Sequence, residues 1–391
     1  MFCYDRKKVF CLPCFIMAIF IFRSVTYAEF PAFQYYQIDR IGRMMGQTSL
    51  VDVDRDGDLD WIAGCMGGDI WWFEYETPDK WVRHTLGEKV LTDVGGTAFD
   101  VDGDGWMDQI SGGTWFRNTG NPRHQQFIRY ENGVIAKSHD NILADIDGDE
   151  KIDLVTISDT DGFWWYRIVA DPNQIWQGTR IGQPVHGGID PQGADDIDGD
   201  GDIDVVRADA WFENIDGKGT KWAMHHNLVP AGGSRADRYG LATKTWVYDI
   251  DRDSDNDVIE AEADTPDGRV FWFENRDGRG KSWTMHLIST EHTGQDLHSL
   301  ALADFDNDGD VDVFAGGGPL TKEPPHKWFI WENLDGKGKE WKEHIVLSGK
   351  RCHEAKAADI DGDGDIDICS KPWDGSEHVY LRNMLKDDGK G

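Results

Sequence analysis

Aspartate alternates with other residues in a nine-residue pattern, D-x-D-x-D-x-x-x-D, that occurs seven times in the 391 residues, five of them with glycine at position 6. Carboxylates at positions 1, 3 and 5 can wrap one side of a hard cation, while a backbone carbonyl at position 7 and the carboxylate at position 9 close the other. The ligand sets this predicts are Asp52, Asp54, Asp56 and Asp60; Asp100, Asp102, Asp104 and Asp108; Asp145, Asp147, Asp149 and Asp153; and Asp196, Asp198, Asp200 and Asp204. The remaining three are Asp249, Asp251, Asp253 and Asp257; Asp304, Asp306, Asp308 and Asp312; and Asp359, Asp361, Asp363 and Asp367. All-oxygen donors in a flexible loop suit Ca2+, so up to seven mainly structural calcium ions are expected. Four carboxylates so close together repel one another unless a cation sits among them. Glycine at position 6 permits the sharp turn; Glu150 and Ser254 replace it in two loops, which puts their geometry and affinity in question.

These loops are not helix-flanked EF-hands. Such a loop needs Glu at position 12, where this chain has Ala63, Ser111, Thr156, Arg207, Glu260, Ala315 and Ser370. The flanks are apolar and β-branched, as in Leu154-Val155-Thr156-Ile157, and read as strands. The loops also explain the charge. Asp and Glu total 72 against 40 Lys and Arg, a net −32, and the 28 ligand aspartates account for all but four of those charges. So acidic a chain argues against nucleic acid as a partner, and its 12% aromatic content argues against disorder.

The elements that position the loops repeat with them, at intervals of 48, 45, 51, 53, 55 and 55 residues. After each loop comes an aromatic strand with a polar end, such as Trp211-Phe212-Glu213-Asn214 or Trp164-Trp165-Tyr166-Arg167. A glycine-rich turn follows in several repeats, then an outer strand that often carries Trp and His, as in Trp81/His84, Trp222/His225, Trp283/His286 and Trp341/His344. Recurrence marks these four histidines as structural. Four strands per repeat and seven repeats predict an all-β, seven-bladed β-propeller. The seventh repeat stops near Asn383, one strand short, and Tyr35 to Gly42 has the spacing of an outer strand. An N-terminal strand completing the last blade would close the ring and leave no open edge.

The acidic loops and aromatic strands resemble FG-GAP/VCBS repeats, which form calcium-containing propellers. The resemblance covers nearly all of residues 29–391. It implies a propeller like those of integrin-type adhesion heads, of aldos-2-ulose dehydratase and of propeller-type polysaccharide lyases. It carries over the calcium ligands, but no catalytic residue.

Residues 1–28 read as an export signal. Arg6, Lys7 and Lys8 precede an apolar run from Val9 to Phe22, and Val25-Thr26-Tyr27-Ala28 offers a cleavage site. A 14-residue run is short for a membrane span of about 20 residues, with an uncleaved anchor as the alternative. The expectation is a secreted, periplasmic or extracellular protein with no transmembrane segment after processing. Cys65, Cys352 and Cys369 remain, enough for one bridge and one free thiol.

A site is best sought where the repeat breaks. The inner-strand position six residues before each first aspartate holds Gly46, Val94, His139, Asp190, Thr243, His298 and His353. Three histidines beside one channel point to acid–base work. The candidate catalytic residues are His139, His298, His353, Tyr239 and Lys371; the candidate substrate-binding residues are His186, Arg207, Arg238, Lys244, Trp246, Arg351 and Trp373. The family resemblance suggests β-elimination on an acidic or oxidised sugar, by a lyase or dehydratase. The alternative is a propeller that binds a glycan or a cell surface without catalysis. The sequence does not determine the oligomeric state.

Overall fold

The computed structural model describes residues 29–386 except 93, 172, 237, 238, 240 and 241. The export signal expected at residues 1–28 therefore lies outside the described residues, as does Arg238. Among the described residues there is no helix, and so none long and apolar enough to cross a membrane.

Among the described residues the strands form seven sheets, antiparallel except for one short strand. Blade 1 runs Met45–Val51, Asp60–Cys65, Asp69–Thr77 and Lys80–Glu88, from inner to outer strand. Blade 2 (Gly96–Phe99 to Ile128–Glu131), blade 3 (Asp140–Ala144 to Gln177–Gly182), blade 4 (Ala194–Asp195 to Trp222–His225), blade 5 (Thr243–Tyr248 to Trp283–Leu287) and blade 6 (Leu297–Ala303 to Trp341–Ser348) repeat the same meander, and blade 7 takes its first three strands from His353–Ala358, Asp367–Lys371 and Glu377–Asn383. Each inner strand contacts the inner strands of its two neighbours, and blade 7 contacts blade 1, so the ring is closed. Blade 5 gains a short fifth strand, Pro191–Gln192, parallel to its inner strand Thr243–Tyr248.

The predicted closure is present. Phe33–Arg40 pairs antiparallel with Glu377–Asn383 and supplies the outer strand of blade 7, with Phe33 opposite Asn383 and Arg40 opposite Glu377.

Blades are held by their facing surfaces. One cluster joins Val155, Phe163 and Trp165 of blade 3 to Val205 and Phe212 of blade 4; another joins Trp272 of blade 5 to Phe329 and Trp331 of blade 6. Each such fully buried side chain contributes roughly 2–3 kcal/mol. The repeated polar residues tie one blade to the next. Indole Nε1 of Trp165, Trp211 and Trp272 donates to the carbonyls of Gly219, Gly280 and Gly338 in the following blade, at 2.8, 3.1 and 2.9 Å. Asn118, Asn214, Asn275 and Asn383 reach back through Nδ2 to position 2 of the preceding blade's acidic loop, at 2.8–3.0 Å. These bonds account for the asparagine ending the aromatic strand and for the glycine turn after it. His84, His225, His286 and His344 are structural, each 2.6–2.7 Å from the glutamate on the adjacent aromatic strand. The three cysteines form no bridge, so all three thiols are free.

Candidate functional site

In every blade the acidic hairpin joins the inner and second strands, so the starts of the inner strands and the second-to-third turns lie at the opposite end. There a cavity of about 480 Å³ opens. His139, His298 and His353 line it from the inner-strand starts, and His186 from the segment between blades 3 and 4. Asp159 and Asp264 enter from second-to-third turns, with Tyr239, Leu320 and Trp373 on the wall.

The side chains form two linked groups. The His139 and His186 rings lie 4.1 Å apart, and those of His298 and His353 stack at 4.0 Å. Asp264 Oδ2 lies between the groups, 3.2 Å from His186 Nε2 and 3.6 Å from His298 Nε2. His186 Nδ1 is 2.8 Å from Asp159. His139 Nδ1 is 2.7 Å from Asp140 Oδ1, while Asp140 Oδ2 accepts the N–H groups of Gly188, Ile189 and Asp190. Tyr239 lies beside His186, with rings 5.3 Å apart.

Environment separates the histidines. Burial lowers the His186 pKa, but hydrogen bonds to Asp159 and Asp264 more than offset it and push it up to about 9. Burial also opposes a charge on His298, yet Asp264 raises its pKa. His353 goes the other way, held well below the usual histidine value by burial and by the His298 and Lys371 charges. Asp264 is lowered despite its burial, through His298 and His186.

The structure brings together His139, His186, His298, His353, Tyr239 and Trp373 of the predicted set. It sets the others apart. Lys371 is sealed behind His353, donating to His353 Nδ1 at 3.0 Å and to the Met45 carbonyl. Arg207 pairs with Asp209 at 2.9 Å and packs on Phe212. Lys244 is buried against Asp190 at 3.2 Å. Trp246 packs against the apolar core between blades 5 and 6. Arg351 pairs with Asp374 beside a separate surface pocket. The inner-column histidines are not a solvated rim: His139, His298 and His353 are only 9%, 4% and 3% exposed. The inner strands that carry them pack against one another around the channel. Sequence reasoning missed Asp159 and Asp264. Their only signal was a carboxylate just after the second strand, in a chain where carboxylates are everywhere.

At the other end, the seven acidic hairpins share one geometry. In each, the position-1 carboxylate accepts the N–H of position 6 at 2.7–3.2 Å. Glu150 and Ser254 keep this bond by adopting φ of 66° and 79°. Position 9 is buried in every blade and also fixes the strands. Asp204 accepts N–H groups from Ile197 at 3.1 Å and Asn214 at 2.8 Å, and Asp257 and Asp367 repeat the arrangement.

A model of FG-GAP-like repeats matches residues 249–315, from the acidic loop of blade 5 through the second strand of blade 6. That segment is similar to an FG-GAP-like repeat. Among solved structures, the chain is similar to an Agrocybe aegerita lectin, described as recognising non-reducing terminal N-acetylglucosamine. The match is 15% identical, covers 86% of this chain and 85% of the lectin, and has a TM-score of 0.50. It is also similar to BBS1N, solved in complex with ARL6DN, at 8% identity, 89% and 95% coverage and a TM-score of 0.51. These matches bear on the fold alone. No curated protein matches the chain.

The acidic loops have the donors a calcium ion needs. Carboxylate oxygens of Asp52, Asp54 and Asp60, of Asp100, Asp102 and Asp108, and of Asp145, Asp147 and Asp153 lie within 4.8 Å of one another. Position 3 leaves buried oxygens without a hydrogen bond at Asp54, Asp147, Asp198, Asp251 and Asp361. Arginines partly compensate, with Arg123 at Asp54 and Asp56, and Arg382 at Asp361 and Asp363. The donor set is hard oxygen throughout, which fits Ca2+.

Proposed function

We propose that this propeller is exported, carries structural calcium in its acidic loops, and binds a carbohydrate at the channel mouth. There it acts by β-elimination on an acidic or oxidised sugar. The observation that carries the reading is the convergence of four histidines and two carboxylates on one cavity, with Tyr239 and Trp373 as surfaces a sugar ring can stack on. A binding face alone has no need of buried histidines in contact with one another.

The reaction needs three parts. A base removes the proton beside a carboxylate or carbonyl, a positive group stabilises the enolate, and an acid protonates the departing oxygen. The C–H and C–O bonds break, a C=C bond forms, and no oxidant is consumed. Tyr239, half exposed at the open side, would give its phenol proton to solvent and, as the phenolate, take the sugar's. His298, whose pKa Asp264 raises, would give one to the departing oxygen. The His139–His186 end is where the sugar's carboxylate or carbonyl would be polarised. Lys371 and His353 support His298 from behind.

The test is incubation with uronate polysaccharides and keto-sugars, read by ultraviolet absorbance of the unsaturated product. Absence of product across the panel sinks the elimination. Glycan binding that survives in its place supports the second reading, a lectin-like propeller, with which the N-acetylglucosamine-recognising neighbour of similar fold is consistent.

A further inference from the structure

At the His139 end of the cavity, the donors differ in kind from those of the acidic loops. One ligand atom each from His139, His186 and Asp159 lies within 4.8 Å of the other two. Two imidazoles and one carboxylate, with a cavity on the remaining side, are the donor set of open transition-metal sites, whereas Ca2+ and Mg2+ prefer oxygen alone.

We propose that His139, His186 and Asp159 bind one divalent transition ion of the zinc class at the channel mouth. The second shell supports this independently. A metal-bound histidine generally gives its other ring N–H to a carboxylate or carbonyl, which fixes its tautomer and orientation. His139 does so here: Nδ1 is 2.7 Å from Asp140 Oδ1, and Asp140 is buried and held by three backbone N–H groups. That leaves Nε2 as the lone-pair nitrogen. Asp264, 3.2 Å from His186 Nε2, is the corresponding partner for His186. An ion entering beside Asp159 replaces the His186–Asp159 hydrogen bond, and the cavity leaves room for water or a sugar oxygen in the open position. The site deepens the carbohydrate reading, since such an ion would polarise the sugar's carboxylate or carbonyl, but its binding is measured without sugar.

The experiment is a Co2+ titration of the full chain in excess Ca2+, which fills the oxygen loops. One equivalent should bind with the strong visible absorption of a low-coordinate nitrogen–oxygen site, and Zn2+ should displace it. His139→Ala and His186→Ala should abolish the band. Asp140→Asn, a positioning change, should weaken binding about 10- to 100-fold. Asp159→Asn tests the site even if the buried variants misfold, because its side chain is half exposed; it should weaken binding at least about tenfold. A weak six-coordinate spectrum, or Asp159→Asn binding like the parent, overturns the site. Cobalt binding with no effect of any sugar leaves the site standing and removes the carbohydrate reading.

Discussion

Among the residues facing the cavity, exposure decides which can be altered without disturbing the fold. Tyr239 is 50% exposed, whereas His353 and Lys371 are 3% and 0% exposed and hydrogen-bonded to each other. Tyr239→Phe should melt within about 0.5 kcal/mol of the parent. As the base it should lose about 100-fold or more in elimination rate. An unchanged rate moves the base elsewhere. His353→Ala and Lys371→Ala should instead cost roughly 1–3 kcal/mol each, because each leaves a buried polar partner unsatisfied; denaturant unfolding reads the loss. The histidine column was legible because it breaks a repeat that otherwise predicts each position. Its burial was not, since nothing in the spacing says how narrow the channel is. Lys371 shows the same limit: its segment looked irregular enough to be a surface loop, yet the ammonium points inward to a carbonyl.

The acidic hairpin is the element that recurs most faithfully, and its sequence was nearly sufficient to describe it. The exception is position 6. Lack of glycine at Glu150 and Ser254 suggested altered geometry, but both loops keep the turn and take positive φ instead. The price is backbone strain, about 1–2 kcal/mol for a side chain in the left-handed region. Calcium binding only the folded loop would offset that strain by mass action. Chelation should therefore lower the melting temperature of the whole chain, with blade 5 losing protection from hydrogen exchange first, because Arg252 at position 4 adds a second left-handed side chain to Ser254. Ser254→Gly should bring blade 5 level with blades 1 and 6, which each hold one such residue, Arg55 and Asn307. An identical melting curve with and without chelator would remove calcium from the structure. The asparagine, tryptophan and glycine of each repeat were visible as a pattern, but not their purpose. Their partners lie in a neighbouring blade, and a one-dimensional repeat does not show what faces what.

Closure of the whole ring was legible from counting, because seven loops require seven outer strands and the seventh is absent from the C-terminal end. The chemistry that locks it was not, and it makes closure sensitive to pH. His378 is fully buried on the last strand, where Trp61 Nε1 of blade 1 donates to its Nδ1 at 3.1 Å and its Nε2 is 3.1 Å from the Ile41 carbonyl. An indole N–H can only donate, so Nδ1 must be bare, and the remaining proton sits on Nε2 facing the carbonyl. A second proton would set two donors against each other. Burial accordingly lowers the His378 pKa to about 4, from an unfolded value near 6.5. Because the folded value is the lower one, the unfolded chain takes up the proton first as pH falls. Stability from this residue is complete above about pH 6.5 and is lost progressively down to about pH 4, about 3 kcal/mol in all. His378→Gln cannot titrate. It should be less stable than the parent at pH 7.5, and the gap should narrow by pH 4.5 in urea unfolding at the two pH values. A gap that stays constant would mean that His378 is not the acid-sensitive lock. Deleting residues 33–42 removes the strand and the Ile41 carbonyl together, and should leave blade 7 with an open edge that aggregates at any pH; a soluble monomer of normal stability would show that the ring is held shut by other contacts.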